Sequence, residues 1–150
     1  MSTLFDQVSS DIRTAMKARD KVRTEALRNI KKYFIEAKTA PGANDTLEDA
    51  NALKILQKLA KQGQDSAATY AKAGRQELAD AELAQVAIIK EYLPQPLSAE
   101  EIETQVKEII AKVGATDMKQ MGQVMGMATK QMAGKADGKI ISSIVRKLLA

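Results

Sequence analysis

The hydrophobic positions of this chain recur at intervals of three and four residues, which is the spacing of one face of an α-helix. In the clearest example the apolar stripe is Val22, Ala26, Leu27, Ile30, Tyr33, Phe34 and Ala37. No stretch alternates apolar and polar residues as a half-buried β-strand would. The pattern therefore predicts an all-α fold.

Glycine, proline and capping residues divide this pattern into helices. Ser2 or Thr3 is placed to cap the first helix, and residues 41–45 are a clear break. The first four helices are predicted to end near Ala18, Lys38, Ala73 and Leu93, the third starting at Leu47 and the fourth at Arg75.

The strongest boundary in the chain lies at residues 92–97, where two prolines stand within three positions. Pro94 and Pro96 cannot continue a helix. Ser98 and Glu101 then match a capping box, which marks a helix start. Gly114, Thr116 and Asp137 delimit three further helices. We therefore expect two helical subdomains, a four-helix unit in residues 1–94 and a three-helix unit in residues 95–150.

The composition argues against catalysis. The chain has no Cys and no His, which removes thiolate nucleophiles, the usual general base and the commonest zinc ligands. No Asp/Glu cluster has the loop spacing of a calcium or magnesium site. We predict no catalytic residues, no metal and no cofactor. Because no secretion signal and no membrane-length apolar run is visible, we also predict a cytoplasmic protein without membrane contact.

Charge is unevenly distributed along the chain. The net charge is +4, but residues 13–38 carry +6, residues 43–118 carry −5 and residues 119–150 carry +5. The two basic segments are either ordinary solvated helix faces or two positive binding surfaces. On the second helix, Arg28, Lys31 and Lys32 are candidates for the binding surface.

Two charged residues interrupt apolar stripes. Arg23 lies on the apolar face of the second predicted helix, and Glu82 lies on that of the fourth. An unpaired buried charge is costly, so we predict a structural Arg23–Glu82 ion pair. The alternative is that both side chains extend to solvent.

The C-terminal segment contains the most specific motif. Gly122 and Gly126 lie one helical turn apart, and residues 134–138 form a Gly-Lys-Ala-Asp-Gly turn before the last helix. Glycines allow a ligand or a backbone to approach closely, and a helix N-terminus favours anions. The predicted RNA-backbone site comprises Gly122, Gly126, Lys130, Gly134, Lys135, Gly138 and Lys139, aided by Arg28, Lys31 and Lys32.

Two other motif matches in this segment are rejected, and its methionines have two possible roles. The turn is not a Walker loop, because Thr129 stands where the first Gly should be and Ala136 where Ser or Thr should bind magnesium. The Gly-x-x-x-Gly spacing lacks a membrane-length segment. A stripe of methionines, Met118, Met121, Met125 and Met132, is either core or an adaptable groove, and stripes at helical spacing are usually core.

These residues resemble the signature of the YqeY family, whose fold also forms the C-terminal tail of GatB, a subunit of the glutamine-dependent tRNA amidotransferase. The matching segments are residues 121–126, 134–139, 21–30, 73–78 and 91–94. Gly63 departs from the pattern, since such proteins usually carry a basic residue there. The resemblance covers nearly the whole chain.

The resemblance implies two all-helical subdomains and tRNA as the partner. It carries over no catalysis, so a label of carbon–nitrogen ligase with glutamine as amido-N-donor would be inherited from the family. Two functions stay open: a stand-alone tRNA-binding protein, and an adaptor that docks on an amidotransferase or an aminoacyl-tRNA synthetase. No extra apolar face demands a dimer, so we expect a monomer.

Overall fold

The computed structural model describes residues 3–150, and the regular secondary structure in this range is entirely helical, which confirms the all-α class. A short 3-10 turn at Met118–Gln120 precedes the sixth helix. The helices are α1 (Leu4–Lys17), α2 (Lys21–Lys38), α3 (Asp49–Lys72), α4 (Gln76–Lys90), α5 (Ala99–Val113), α6 (Met121–Gln131) and α7 (Gly138–Leu149).

The chain divides into two compact units, of which the first ends at Leu93 and the second runs from Pro94 to Ala150. In the first unit, α1 to α4 enclose a core of aliphatic side chains around one buried aromatic ring, Phe34. The helices α3 and α4 form the most extensive pair. The largest fully buried side chains of this unit are Val8, Leu27, Ile30, Phe34 and Leu56.

Local capping explains where several helices begin. The Thr3 hydroxyl accepts from the Asp6 amide while the Asp6 carboxylate accepts from the Thr3 amide, which makes a capping box at α1. Ser2, the other predicted cap, lies outside the described residues. In the second unit, Ser98 and Glu101 form the predicted capping box at α5, and this prediction is confirmed.

The second unit packs α5, α6 and α7 around a separate core. Its largest fully buried side chains are Ile102, Val106, Val124, Met132, Ile141 and Val145. Of the methionine stripe, Met132 is fully buried, while Met121 and Met125 pack against the core from partly exposed positions. Met118 is 43% exposed, so the stripe is core along most but not all of its length.

Apolar residues near the starts of two helices face solvent, and one helix ends early. Val22, which the spacing predicts on the buried side of α2, is 52% exposed, and Leu78 of α4 is 42% exposed. Both lie in the first turns of their helices, and in α4 the residues that join the unit's main core begin only at Val86. The fourth helix ends at Lys90 rather than Leu93, so it stops before the residues that precede Pro94.

Candidate nucleic-acid interface

The helix α6 presents two different faces. Val124 and Ala128 are fully buried against the core of the second unit. Gly122, Gly126 and Lys130 follow one another at four-residue intervals and are all exposed. Residues spaced in this way lie on one side of a helix, so Gly122, Gly126 and Lys130 share one solvent-facing surface. Of the other two predicted glycines, Gly138 is exposed at the start of α7, but Gly134 is buried and is not placed to touch a ligand.

The two glycines of α6 have no packing role within their unit. A Cβ built on Gly122 or on Gly126 would meet no atom of residues 94–150 within 4 Å. Glycine inside a helix costs about 0.8–1.0 kcal/mol relative to alanine. The unit therefore carries this cost at two neighbouring positions without gaining a close internal contact in return.

The turn before α7 is held by its own hydrogen bonds. Gly134 adopts a positive φ of 79°, a conformation that L side chains rarely take. The Lys135 carbonyl accepts from the Leu97 amide at 2.9 Å. The Asp137 carboxylate accepts from the Lys139 amide at 2.9 Å, so it caps α7. Because Asp137 already occupies this helix N-terminus, an external anion would be held mainly by the lysines.

Three lysines lie within or close to this turn along the chain. Lys130, Lys135 and Lys139 are exposed, and none of them forms an ion pair with any residue of the described range 3–150. Asp137 is the one acidic residue after position 118, and its carboxylate is engaged by the Lys139 amide. Three lysines against one carboxylate, with no ion pair among residues 3–150, leave a net positive charge that is suited to a phosphate backbone.

Sequence reasoning missed two cations on α7. Arg146 and Lys147 are exposed in the last turns of this helix, and the neighbouring Ile140 is 47% exposed. The helical period could have found them, since Lys139 and Arg146 are seven residues apart and share one side of the helix. They add positive charge to the side of α7 that begins at Lys139.

The N-terminal candidates already have contacts within their own unit. The Arg28 guanidinium lies 3.6 Å from the Met16 sulfur. Lys31 lies over the ring of Phe5 at 5.7 Å, and Lys32 lies over the ring of Tyr33 at 5.6 Å. These cation–π contacts are weak at exposed sites, so the three cations stay available for a ligand.

The predicted Arg23–Glu82 ion pair is wrong. The Arg23 guanidinium instead donates two hydrogen bonds to Glu91, at 2.8 and 3.0 Å. The reason is register: α2 and α4 run in opposite directions, so the start of α2 lies beside the end of α4. Glu82 lies level with Tyr33, further along α2, and the two residues line one hollow.

A second polar contact stands beside this ion pair. The Tyr92 hydroxyl donates to the Asp11 carboxylate at 2.5 Å, which joins the end of α4 to α1. Burial and then this hydrogen bond raise the pKa of Tyr92 well above its ordinary value. The hydrogen bonds from Arg23 lower the pKa of Glu91, and the same contact raises the pKa of Arg23. These four side chains link α1, α2 and the segment that ends α4.

No group of three Asp or Glu side chains in residues 3–150 is arranged to hold a metal ion. None of the helices in this range combines the length and the hydrophobicity that a membrane-spanning segment requires. Within the second unit, the α6–α7 surface is the place where the sequence and the structure together offer a ligand chemistry.

Comparisons with known proteins give one family and two curated relatives. A family model described as "Yqey-like protein" matches residues 5–149. The chain is 38% identical over 55 residues to a glutamyl-tRNA(Gln) amidotransferase subunit from Thermococcus gammatolerans, a match that covers 34% of this chain and 9% of that protein. It is 30% identical over 151 residues to Altered inheritance of mitochondria protein 41, mitochondrial, of Vanderwaltozyma polyspora, covering 93% of this chain and 79% of that protein.

Proposed function

The chain belongs to the YqeY family, and from that premise we propose that it is a non-catalytic protein that binds tRNA. The proposed contact is the α6–α7 surface, with Lys130, Lys135 and Lys139 meeting phosphate groups. Arg28, Lys31 and Lys32 of the N-terminal unit are auxiliary cations in this proposal. The chain supplies no aromatic platform there, so backbone shape rather than stacked bases would be recognised.

The observation that carries the proposal is the exposed glycine pair of α6 beside unpaired lysines. Gly122 and Gly126 lower helix stability, and no contact inside their unit requires them. A helix surface without side chains lets a sugar–phosphate backbone come within contact of the helix itself. Lys130 continues the same face, which provides the charge for that contact.

The relatives support tRNA as the kind of RNA. The name of the Thermococcus protein includes a glutamyl-tRNA(Gln), although the matched segment is a small part of that protein. Its amidotransferase activity is not proposed for this chain, because 150 residues without His or Cys provide no catalytic constellation. A ligase label with glutamine as amido-N-donor would in this view be inherited. We further propose a cytoplasmic monomer.

A second candidate is a protein adaptor that docks on an amidotransferase or an aminoacyl-tRNA synthetase. It is favoured by large apolar side chains exposed in the C-terminal unit, Met118 at 43% and Ile140 at 47%. Such a surface would bind through buried apolar area and would depend little on salt. RNA binding through lysines depends steeply on salt, so the two functions can be separated in one experiment.

The test is tRNA binding by the full chain at several salt concentrations. We expect a triple variant with Lys130, Lys135 and Lys139 changed to Ala to bind more weakly. The plot of log affinity against log salt concentration has a negative slope, and its magnitude should be smaller by about two to three in this variant. Each phosphate contact that is lost contributes roughly 0.7–0.9 to that magnitude.

The matched control is the triple alanine variant of Lys54, Lys58 and Lys61, three exposed lysines of α3. It removes the same charge from the other unit and should leave most of the affinity. Equal loss in both variants would show only a nonspecific charge effect and contradict the proposed site. If the wild type binds no tRNA at any salt concentration, the adaptor function replaces this one.

A further inference from the structure

A small hollow of about 130 Å³ opens between α2, α3 and α4 of the N-terminal unit. Its apolar wall is formed by Leu59, Val86 and Ile89. A water molecule takes up about 30 Å³ in the liquid, so the hollow has room for a group of a few heavy atoms. It lies in a different unit from the α6–α7 surface, and nothing below depends on the proposed tRNA binding.

The hollow lies beside the closest approach of two helices. A Cβ on Gly63 would stand 2.5 Å from the Val86 Cγ2 atom, which is closer than real atoms come. Glycine at this position therefore lets α3 pack tightly on α4. The same Cβ position lies 3.9 Å from a carboxylate oxygen of Glu82, and both Gly63 and Glu82 line the hollow beside this contact.

Glu82 provides the single negative charge among the residues that line the hollow. Its carboxylate lines the hollow and is partly buried, and within residues 3–150 no basic group forms an ion pair with it. The other polar groups of the lining are neutral. They are the side chains of Asn29, Tyr33, Gln62, Ser66 and Gln85.

The neutral groups offer acceptors around the single charge. Each of the amide side chains of Asn29, Gln62 and Gln85 has a carbonyl oxygen, and the Ser66 hydroxyl can accept as well. The ring of Tyr33 also lines the hollow and adds an aromatic surface, against which a planar cation can stack. A ligand that suits this lining carries one positive charge and several donors.

We propose that this hollow binds a guanidinium group, the head of an arginine side chain. Guanidinium is planar, has five donors in a fixed fork and is less strongly hydrated than an ammonium group. It can donate two hydrogen bonds to Glu82 while its remaining donors meet the side-chain amides. The methylene stem packs against the aliphatic wall. The arginine belongs either to a free molecule or to a partner protein.

The binding is tested by heteronuclear NMR of the full chain titrated with ethylguanidinium. We expect saturable chemical-shift changes at the amides of Gly63 and Ser66, with none at Gly122. Equimolar n-butylammonium should bind more weakly. Free arginine and the blocked peptide glycyl-arginyl-glycine are then compared: binding of both assigns a protein partner, and binding of the free amino acid alone assigns a small-molecule ligand.

Two variants make the test specific. Glu82→Gln keeps the size of the side chain, and it should weaken binding on the order of tenfold because a charge-assisted hydrogen-bond pair is lost. Glu77→Gln removes a charge from an exposed position of the same helix and should leave binding unchanged. Shifts that grow linearly without saturation, or that are the same in Glu82→Gln, would overturn the proposal.

Discussion

Two helices of this protein contain internal glycines, and the glycines have opposite relations to their surroundings. In α3, Gly63 stands where a Cβ would overlap the Val86 side chain of α4. In α6, Gly122 and Gly126 face open space within their unit. Both helices lose stability relative to alanine, but only α3 gains a close helix contact in exchange. Packing explains the first glycine, whereas an external ligand is the explanation we propose for the other two.

The largest expected effect comes from filling the crowded position. Gly63→Ala forces the Val86 side chain or the α3 backbone to move, at a cost that exceeds the gain in helix propensity. We expect a net loss of about 1–2 kcal/mol in the free energy of unfolding. Chemical denaturation of the full chain measures it.

The control for this substitution removes the atom that would be struck. In a Val86→Ala background, Gly63→Ala should be neutral or stabilising, because the overlap has gone and the propensity gain is left. If Gly63→Ala destabilises both backgrounds equally, contact with Val86 is not the reason for the glycine. The claim that α3, unlike α6, needs its glycine for packing would then be wrong.

The next effect has the opposite sign. Gly122→Ala and Gly126→Ala should each stabilise the protein by about 0.5–1 kcal/mol, because the added methyl group meets open space and favours the helix. The same substitutions should weaken tRNA binding by holding the backbone away from α6. Denaturation and tRNA titration are measured on the same samples.

Thr104→Ala on α5 is the matched control, since it changes helix propensity at an exposed position of the same unit. It should leave tRNA affinity unchanged. Lower stability in either glycine variant would mean that the glycines serve packing after all. Unchanged tRNA affinity with raised stability would leave α6 without the role that we propose.

The smallest effect concerns Glu82 of α4 and Glu91, the C-terminal cap of α4. Glu91 is paired with Arg23, and half of its side chain is exposed, so Glu91→Gln should cost only about 0.5 kcal/mol after allowance for solvent screening. Glu82→Gln should cost nothing measurable, because no described basic group pairs with it.

The ion pair also predicts a pH dependence. Pairing with Arg23 lowers the pKa of Glu91 below its ordinary value of 4.5, so the folded state binds this proton less readily than the unfolded state. The stabilisation is present above about pH 4.5 and is lost as the pH falls through the lower folded pKa. The stability difference between wild type and Glu91→Gln should shrink in that window. A constant difference across it would contradict the pairing.

Much of the local structure could be predicted from the sequence. The capping box of Ser98 and Glu101 was found because its two residues lie three positions apart. The exposed positions of Gly122, Gly126, Lys130, Lys135 and Lys139 agree with their spacing along one segment, while their contact with RNA stays a prediction. Contacts between distant segments were not found. Arg23 was assigned the wrong glutamate because the sequence does not reveal the register of α2 against α4.

The chain by itself determined the helical class, most helix ends and the spacing of the lysines in its basic C-terminal segment. These follow from periodicity and capping, in which the interacting groups are at most a few residues apart. Only the tertiary structure decided that Gly63 serves packing, that Glu82 lines a hollow and that Gly122 and Gly126 stay open. Those properties depend on which helices are neighbours and on the register between them. Both are set by the packing of side chains that are far apart in the sequence.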